Sequence, residues 1–548
     1  MLAVFKRAYN ANQIMWKFWS VSSEKKTMFK LKVSIIICLL LNNMHVFGQV
    51  LPLPQLVKKI ENSVFTVLAT DKNGTEFSQG SGFVISSDGI CITNFHVLEN
   101  AYGGYVENKN GEKFNITKIL DYNVNCDLVK FRIDSKGRQF YALPLSMTKP
   151  QKGEELISLS TPIGFEQTLS NGIVSSIRDS ELYGTVIQMT TPISHGSSGS
   201  PILNRKGEVL GVSTFGVEGG QSLNFAVSTL NFNKINKTQN INLQDITRDP
   251  LETPNIKKAR FALLEGNYEQ VQKLTAIEFL KDSTNHLALY LAGQALFNIG
   301  EFEGAINVFS QAVILAPEKA DYYNFFGLAL RRHLDIEFKA GNSYPEGFIS
   351  VLQLYDQAIS LESTPVYYHN KGRLIFELYF TYRLFNSSAL YDAMNNFNSC
   401  IQLDPYYEMA YVGRAEVKQN LSDYWGTISD CDRAIAINPY YYRSYKIRGD
   451  TKGYFLEDYQ AGIKDLDIAL SLTEEDREKA DILGLLGIQY SAWAFKIMKE
   501  NDAKNADLEL IAYLFNDARK YLQDAYNISG DKKFLDKLKE VPLITPSK

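Results

Sequence analysis

The segment best suited to chemistry surrounds Ser198, in the sequence Gly-Ser-Ser-Gly-Ser-Pro of residues 196–201. A serine that attacks a carbonyl needs two backbone N–H groups aimed at the oxyanion that forms. A sharp turn at Gly196 would present the amides of Gly196 and Ser198 in this way, and the small neighbours would admit a substrate backbone. Ser198 is therefore a candidate nucleophile, with Gly196 and Ser198 as the candidate oxyanion hole.

A serine nucleophile needs a general base, and the chain has only 6 histidines. One lies near the N-terminus and three lie in the second half, which leaves His96 and His195. His195 is in the Ser198 loop itself and is expected to border a substrate groove. His96 follows the apolar run 90–92, and the end of such a strand could project the imidazole toward Ser198.

The base in turn needs a carboxylate that holds its tautomer and stabilises the imidazolium. Asp127 directly precedes the strand-like run 128–133 and is the best candidate. Asp121 is the competitor, although capping a turn is the ordinary role of an aspartate in its setting. The order His96, Asp127, Ser198 is that of chymotrypsin and not that of subtilisin or the α/β-hydrolases.

The surroundings of these residues predict β structure. Between residues 51 and 235, short β-rich runs alternate with turns rich in Gly, Asn and Asp. Strands at such close spacing favour an all-β barrel or sandwich. A segment of this length suits two small barrels, which we take as one domain of residues 51–235.

Five segments in this domain resemble HtrA/Deg-type serine proteases, whose domain is a trypsin-like double β-barrel. They are residues 80–85, 88–97, 127–129, 161–175 and 223–227. The segment 88–97, Asp-Gly-Ile-Cys-Ile-Thr-Asn-Phe-His-Val, is similar to the one that carries the family's catalytic histidine. The resemblance implies a serine endopeptidase with His96, Asp127 and Ser198 as its triad.

The chain also departs from that family. Ser200 stands where glycine is customary, which restricts φ at this position. No PDZ domain can be fitted after Leu230, so the trimers and PDZ-gated cages of the family are not implied here.

Substrate preference follows only from the resemblance to trypsin-like folds. The residue six before the nucleophile, which lies at the base of the pocket in these folds, is Pro192, and Ile193 follows it. Without a carboxylate there, we expect cleavage after small or medium apolar residues. The resemblance places Asn224, Phe225 and Ala226 on the strand whose backbone pairs with the substrate.

The second half has a helical pattern. Several residue pairs are 34 apart, the period of tetratricopeptide (TPR) repeats: Pro405 and Pro439, Tyr411 and Tyr445, Gly293 and Gly327. After a polar linker at residues 236–254, residues 255–540 are therefore predicted to form an all-α TPR solenoid. Its groove would bind a peptide or protein partner. An unrelated helical bundle is the alternative.

Composition narrows the function classes further. The chain has 548 residues, a net charge of −4 and a pI near 6.0, which gives no electrostatic reason for a nucleic-acid partner. The 5 cysteines are too few for a disulfide scaffold. Cys91, Cys126, Cys400 and Cys431 are expected to be buried thiols, with bridges as the alternative. We find no metal or cofactor constellation.

Residues 28–49 resemble a secretory signal peptide. Two lysines precede a nine-residue apolar block at 33–41, which is too short to cross a bilayer comfortably. Met28 would be a natural start, so residues 1–27 are interpreted as a misassigned upstream extension. We expect export to the periplasm or the extracellular space without a stable membrane span; an uncleaved membrane anchor is the alternative.

Two functions fit the sequence. The first is an exported serine endopeptidase whose repeats bind protein substrates or partners. The second is a TPR binding scaffold that carries a catalytically silent trypsin-like domain. The completeness of the triad favours the first.

Overall fold

The computed structural model describes most of the chain. It covers residues 51–161, 167–180, 184–193, 196–216, 224–246, 251–342, 345–383, 385–500 and 508–543. The expectations for the upstream extension, the signal peptide and His195 lie outside these residues.

The β-rich half forms two closed six-stranded barrels, which confirms the predicted double barrel. The strand orders are β1-β2-β3-β6-β5-β4 and β10-β11-β12-β9-β8-β7. The strands of the first barrel are β1 Val64–Thr70, β2 Glu76–Val84, β3 Ile90–Asn94, β4 Gly103–Glu107, β5 Lys113–Asn123 and β6 Leu128–Ile133. Those of the second are β7 Glu155–Ser160, β8 Thr168–Ser180, β9 Gly184–Met189, β10 Pro201–Leu203, β11 Val209–Gly216 and β12 Asn224–Ser228. A short helix, α1 (Leu53–Ile60), precedes β1, and another, α2 (Phe95–Leu98), follows β3.

Alternating apolar side chains fill each barrel. In the first, Phe65, Phe114 and Phe140 meet edge to face or tilted, with ring centroids 5.4 to 6.3 Å apart. In the second, Val174 and Ile187 are among the fully buried residues. Closure gives every strand two neighbours over at least part of its length, so the barrels are a stable frame for the loops between them.

The polar segment after the second barrel does not act as a simple linker over its whole length. Ile241 pairs with Ile119 of β5, and Leu243 and Ile246 are buried in the core of the first barrel. These three apolar residues bury enough surface to fix the chain on the barrel wall. Residues 241–246 are therefore part of the β domain, which the polar composition of the segment concealed.

The described residues after 251 are helical, as predicted. The helices are α3 Pro254–Glu265, α4 Tyr268–Lys281, α5 His286–Ile299, α6 Phe302–Leu315, α7 Ala320–Lys339, α8 Pro345–Leu361, α9 Pro365–Phe380, α10 Ser388–Leu403, α11 Glu408–Asn420, α12 Tyr424–Ile437, α13 Tyr442–Asp450, α14 Tyr459–Leu472, α15 Asp476–Glu500, α16 Leu508–Ser529 and α17 Lys532–Glu540. Each packs against the next, and alternate helices such as α9, α11 and α13 are also neighbours. This is the arrangement of a solenoid.

Glycines let paired helices approach closely. A Cβ on Gly293 would lie 2.6 Å from the ring of Phe309, and one on Gly413 would lie 2.5 Å from the ring of Phe397. Both aromatic rings are fully buried. Gly293 and Gly327, which suggested repeats in the sequence, are thus positions where a large ring from a neighbouring helix packs.

Cys91, Cys126, Cys400 and Cys431 are free and buried. Among the described residues, no helix has the length and apolar character that a membrane span requires.

Gly413→Ala should destabilise the helical region by about 1–3 kcal/mol, because the added methyl overlaps the Phe397 ring. Thermal unfolding followed by circular dichroism measures this. Gly304→Ala is the matched control, since its Cβ would meet Leu296 at an ordinary 3.5 Å. Equal melting of the two variants would contradict the close approach.

Candidate active site

Asp127 holds His96 through both its backbone and its ring. The carboxylate Oδ1 of Asp127 accepts the backbone N–H of His96 at 3.0 Å, and its Oδ2 lies 2.7 Å from Nδ1 of the imidazole. The side chain of His96 is 39% exposed, whereas the α2 residues around it are buried. The ring is therefore oriented by Asp127 through Nδ1.

The turn before β6 gives Asp127 its position. Asp127 has φ 52°, a left-handed conformation that Asp tolerates better than most residues. Its carbonyl accepts the N–H of Phe95 at 3.0 Å, so this turn is fastened to the start of α2.

Asp121 has a different role. It is buried, and its carboxylate accepts the N–H groups of Tyr122 at 3.0 Å and Lys237 at 2.8 Å. It therefore joins the segment after the second barrel to β5, while Asp127 is the carboxylate that contacts His96.

Strands from both barrels hold the Ser198 loop. The N–H of Ser81 on β2 donates to the carbonyl of Ser198 at 2.7 Å, and the N–H of Gly199 donates to the carbonyl of Ser213 on β11 at 2.8 Å. Gly199 has φ 89°, and a Cβ there would lie 2.0 Å from the carbonyl oxygen of Ser81. Only glycine fits this position, because any side chain would collide with β2.

The two predicted oxyanion-hole amides belong to Gly196 and Ser198. Gly196 has φ 91°, and among the described residues neither its N–H nor that of Ser198 donates to a protein acceptor. Ser200, the departure from the family pattern, does not have a positive φ, so its side chain causes no backbone strain.

Hydrogen bonds through Thr214 and Asn94 connect Ser198 with the backbone of Asp127. The hydroxyl of Ser198 donates to the carbonyl of Thr214 at 3.3 Å. The side-chain amide of Asn94 then donates to the hydroxyl of Thr214 at 3.1 Å and to the carbonyl of Asp127 at 2.9 Å. These contacts connect the Ser198 loop with the turn that carries Asp127, where β3 and β6 of the first barrel meet β11 of the second.

Sequence reasoning missed three residues that build this site: Ser81, Asn94 and Thr214. All three are nearly or fully buried. Ser81 donates from its hydroxyl to the carbonyl of Gly196 at 2.7 Å and accepts the N–H of Thr161 at 3.0 Å. Its place between Gly80 and Gly82 was an available sequence signal, whereas no local pattern distinguishes Thr214.

The predicted substrate-binding residues differ in their exposure and in the groups that they contact. Pro192 is exposed, and Ile193 packs partly buried against the core of the second barrel. The side-chain amide of Asn224 donates to the carbonyl of Thr191 at 2.9 Å. Phe225 and Ala226 are buried, Phe225 against the first helices of the solenoid and Ala226 in the second barrel.

Residues 224–226 cannot offer their backbone to a substrate strand, contrary to our expectation. β12 pairs with β11 on one edge and with β9 on the other, so its backbone groups are already engaged. By contrast, among the described residues, Phe215 and Gly216 of β11 pair only with β12, and Thr214 lies at a register shift between the two strands. The available edge beside Ser198 is therefore this end of β11.

The helical region contacts the turn that carries Asp127. Arg260 of α3 donates from Nη1 to Oδ1 of Asn125 at 3.3 Å, and its Nε lies 2.9 Å from a carboxylate oxygen of Glu252. Farther along, Asn233 donates to Asp404 at 2.6 Å. The two halves thus meet beside the candidate site.

Cys91 and Cys126 of the first barrel are buried thiols. Burial raises the pKa of the thiols of Cys91 and Cys126, so both are protonated at neutral pH. Within the described ranges, no group of three or more His, Cys, Asp or Glu side chains could hold a metal ion.

Comparison with known proteins agrees with this geometry. Residues 80–212 match the model of the trypsin-like peptidase domain. Serine protease HTRA1 of Xenopus laevis is 30% identical over 186 residues, which cover 31% of this chain and 39% of that protein. The putative serine protease HhoB of Synechocystis sp. is 32% identical over 186 residues, covering 33% and 43%. Serine protease HTR4 of Rattus norvegicus is 33% identical over 164 residues, covering 27% and 32%.

The chain therefore contains a trypsin-like peptidase domain with HtrA-family homologues. The matched segment spans about two fifths of the length of the Xenopus and Synechocystis relatives.

Ser81→Ala should destabilise the β domain by about 1–3 kcal/mol, because the buried carbonyl of Gly196 and N–H of Thr161 would both lose their partner. Denaturant unfolding of the full chain measures the change. Ser78→Ala, on the same strand but partly exposed, is the control and should be close to neutral. An equal effect at both positions would contradict the role of Ser81.

Proposed function

We propose that this chain is a serine endopeptidase that uses Ser198 as nucleophile, His96 as general base and Asp127 as the group that orients His96. The observation that carries the proposal is the hydrogen-bond chain from Ser198 through Thr214 and Asn94 to the Asp127–His96 pair. The serine protease names of the relatives support the same chemical class.

In the proposed mechanism, Nε2 of His96 takes the proton of the Ser198 hydroxyl as its oxygen attacks the scissile carbonyl. Asp127 stabilises the imidazolium that forms. The 3.3 Å contact between Ser198 and Thr214 is long for an O–H···O hydrogen bond, so the hydroxyl can leave it at little cost by rotation about Cα–Cβ.

The amides of Gly196 and Ser198 would bind the oxyanion of the tetrahedral intermediate. Both are open to an incoming acceptor and belong to a loop fixed by β2 and β11. Preorganised donors of this kind contribute about 2.7–4 kcal/mol each to transition-state stabilisation. His96 then donates its proton to the leaving amine, and water hydrolyses the acyl-enzyme by the same steps.

We propose that the substrate backbone pairs with Thr214–Gly216, since this stretch leads away from Ser198 and has an available edge. The helical region would bind protein substrates or partners, with its contact to Asn125 placing it next to the catalytic turn. We further propose export through the segment 28–49, with an uncleaved anchor as the alternative.

Triad variants test the chemistry. Ser198→Ala should abolish labelling by a fluorophosphonate and lower peptide hydrolysis by about 10⁶-fold. Asp127→Asn should lower kcat by about 10⁴-fold, because His96 would lose the partner that fixes its tautomer. Ser78→Ala is the control and should keep both activities. A folded wild-type chain that is neither labelled nor active on any peptide library would favour the silent scaffold.

The identity of residue 192 tests substrate preference. The wild-type chain should cleave after small or medium apolar residues, measured by mass spectrometry of a peptide library. Pro192→Asp should shift cleavage toward Lys and Arg, because it places a carboxylate at the predicted pocket base. Pro192→Asn is the uncharged control and should not produce this shift. A wild-type profile dominated by Lys or Arg would contradict the assignment.

A further inference from the structure

A cavity of about 260 Å³ lies between helices of the solenoid. Its walls come from four alternate helices or their first residues: α7, α9, α11 and α13. Because alternate helices of this stack are neighbours, the cavity is formed by the stacking of repeats and not by any single helix pair.

The charged side chains on the wall of this cavity are unbalanced. They comprise one carboxylate, Glu377, and four arginines, which are Arg331, Arg332, Arg373 and Arg443. Two of the arginines are largely neutralised: Arg331 pairs with Glu377, and Arg373 pairs with Glu377 and Glu416. These pairs fix the guanidinium groups in place.

The other two arginines retain binding capacity. Arg443 donates from Nε to the hydroxyl of Tyr442 at 3.1 Å, and its ion pair with Glu478 is long, at 3.5 Å, with Glu478 also pairing with Lys446 at 3.2 Å. Arg332 is exposed and makes no ion pair with any described residue. In addition, the Nε of Arg331 is buried without a hydrogen-bond partner in the part of the chain that the structure describes.

His369 on the same wall adds no compensating charge. Burial, followed by the proximity of Arg373 and Arg331, lowers its pKa to about 4. The imidazole is therefore neutral at pH 7, and the cavity keeps an excess of positive charge. An anion would relieve this excess.

Apolar groups complete the wall. Met409 and Val412 lie beside the arginines, together with Tyr441, whose pKa burial raises to about 12. Its phenol is thus protonated and can donate a hydrogen bond. A ligand that combines a monoanionic group with carbon atoms suits this mixture, since planar guanidinium forks match carboxylates in a bidentate manner.

We propose that this cavity binds a carboxylate of a polypeptide, either an acidic side chain or a free C-terminus, through Arg332 and Arg443. The inference rests on the proposed role of the helical region in binding substrates or partners and specifies its chemistry. It would make acidic segments the feature by which the solenoid selects the proteins that it presents to the peptidase domain.

Fluorescence anisotropy with the full-length Ser198→Ala chain tests the proposal without cleavage of the probe. The probes are fluorescein-labelled Ala-Glu-Glu-Leu-Glu with a free C-terminus, the same peptide with an amidated C-terminus, and Ala-Gln-Gln-Leu-Gln amide. We expect saturable binding of the acidic peptides that weakens with salt, and no binding of the uncharged amide. Loss of binding on amidation would identify the C-terminus as the source of the carboxylate.

Arginine variants locate the site. Arg332→Gln and Arg443→Gln should each weaken binding by about tenfold or more, as expected for the loss of a charged hydrogen bond. Arg433→Gln removes the same charge from an exposed position outside the cavity and should leave binding unchanged. Arg332 is exposed, so its variant should fold even if Arg443→Gln does not.

Three results would overturn the inference: no saturable binding, equal effects of Arg332→Gln and Arg433→Gln, or competition by inorganic phosphate that is far stronger than by acetate. Fluorophosphonate labelling of the wild-type chain is measured in parallel. Labelling without acidic-peptide binding refutes only this site, whereas binding without labelling refutes only the peptidase proposal.

Discussion

The hydrogen bonds between His96 and the Asp127 carboxylate are the constraint that the rest of the β domain satisfies. They require a strand end and a turn from the same barrel to meet within 3.0 Å. The left-handed conformation of Asp127 and the bond from its carbonyl to Phe95 meet this requirement. Barrel closure then holds both segments in place, since neither β3 nor β6 can move without breaking pairs on two sides.

The second barrel supplies the serine, and a few buried polar groups join it to the first. Ser81 holds the Ser198 loop through its backbone and its hydroxyl, while Asn94 links Thr214 to the Asp127 turn. Such groups are costly to bury without partners, which is why each makes bonds across the barrel junction. The hydrogen bonds across this junction therefore hold the residues of the site in place. They form because polar groups that are buried there need partners.

Two kinds of contact recur in the solenoid: glycines packed against aromatic rings, and arginines paired with carboxylates of other helices. Glycines such as Gly413 seat large rings, so that the helices stack closely enough for side chains of alternate helices to converge. Arginines on these helices then share a small number of carboxylates. The contact of Arg260 with Asn125 places the first helix of this stack against the turn that carries Asp127.

The sequence alone determined the double barrel and the helical second half, and it singled out His96, Asp127 and Ser198 as candidates. These features leave local signals: closely spaced strands, residues repeating every 34 positions, and chemically distinctive side chains beside glycine turns. Only the tertiary structure showed which of Asp121 and Asp127 contacts His96: Asp121 lies within β5 and accepts the N–H of Lys237, whereas Asp127 lies in the turn before β6 and contacts the imidazole. It likewise revealed Thr214, the engaged edges of β12 and the arginine cavity, since these depend on residues far apart in sequence that become neighbours only when barrels close and helices stack.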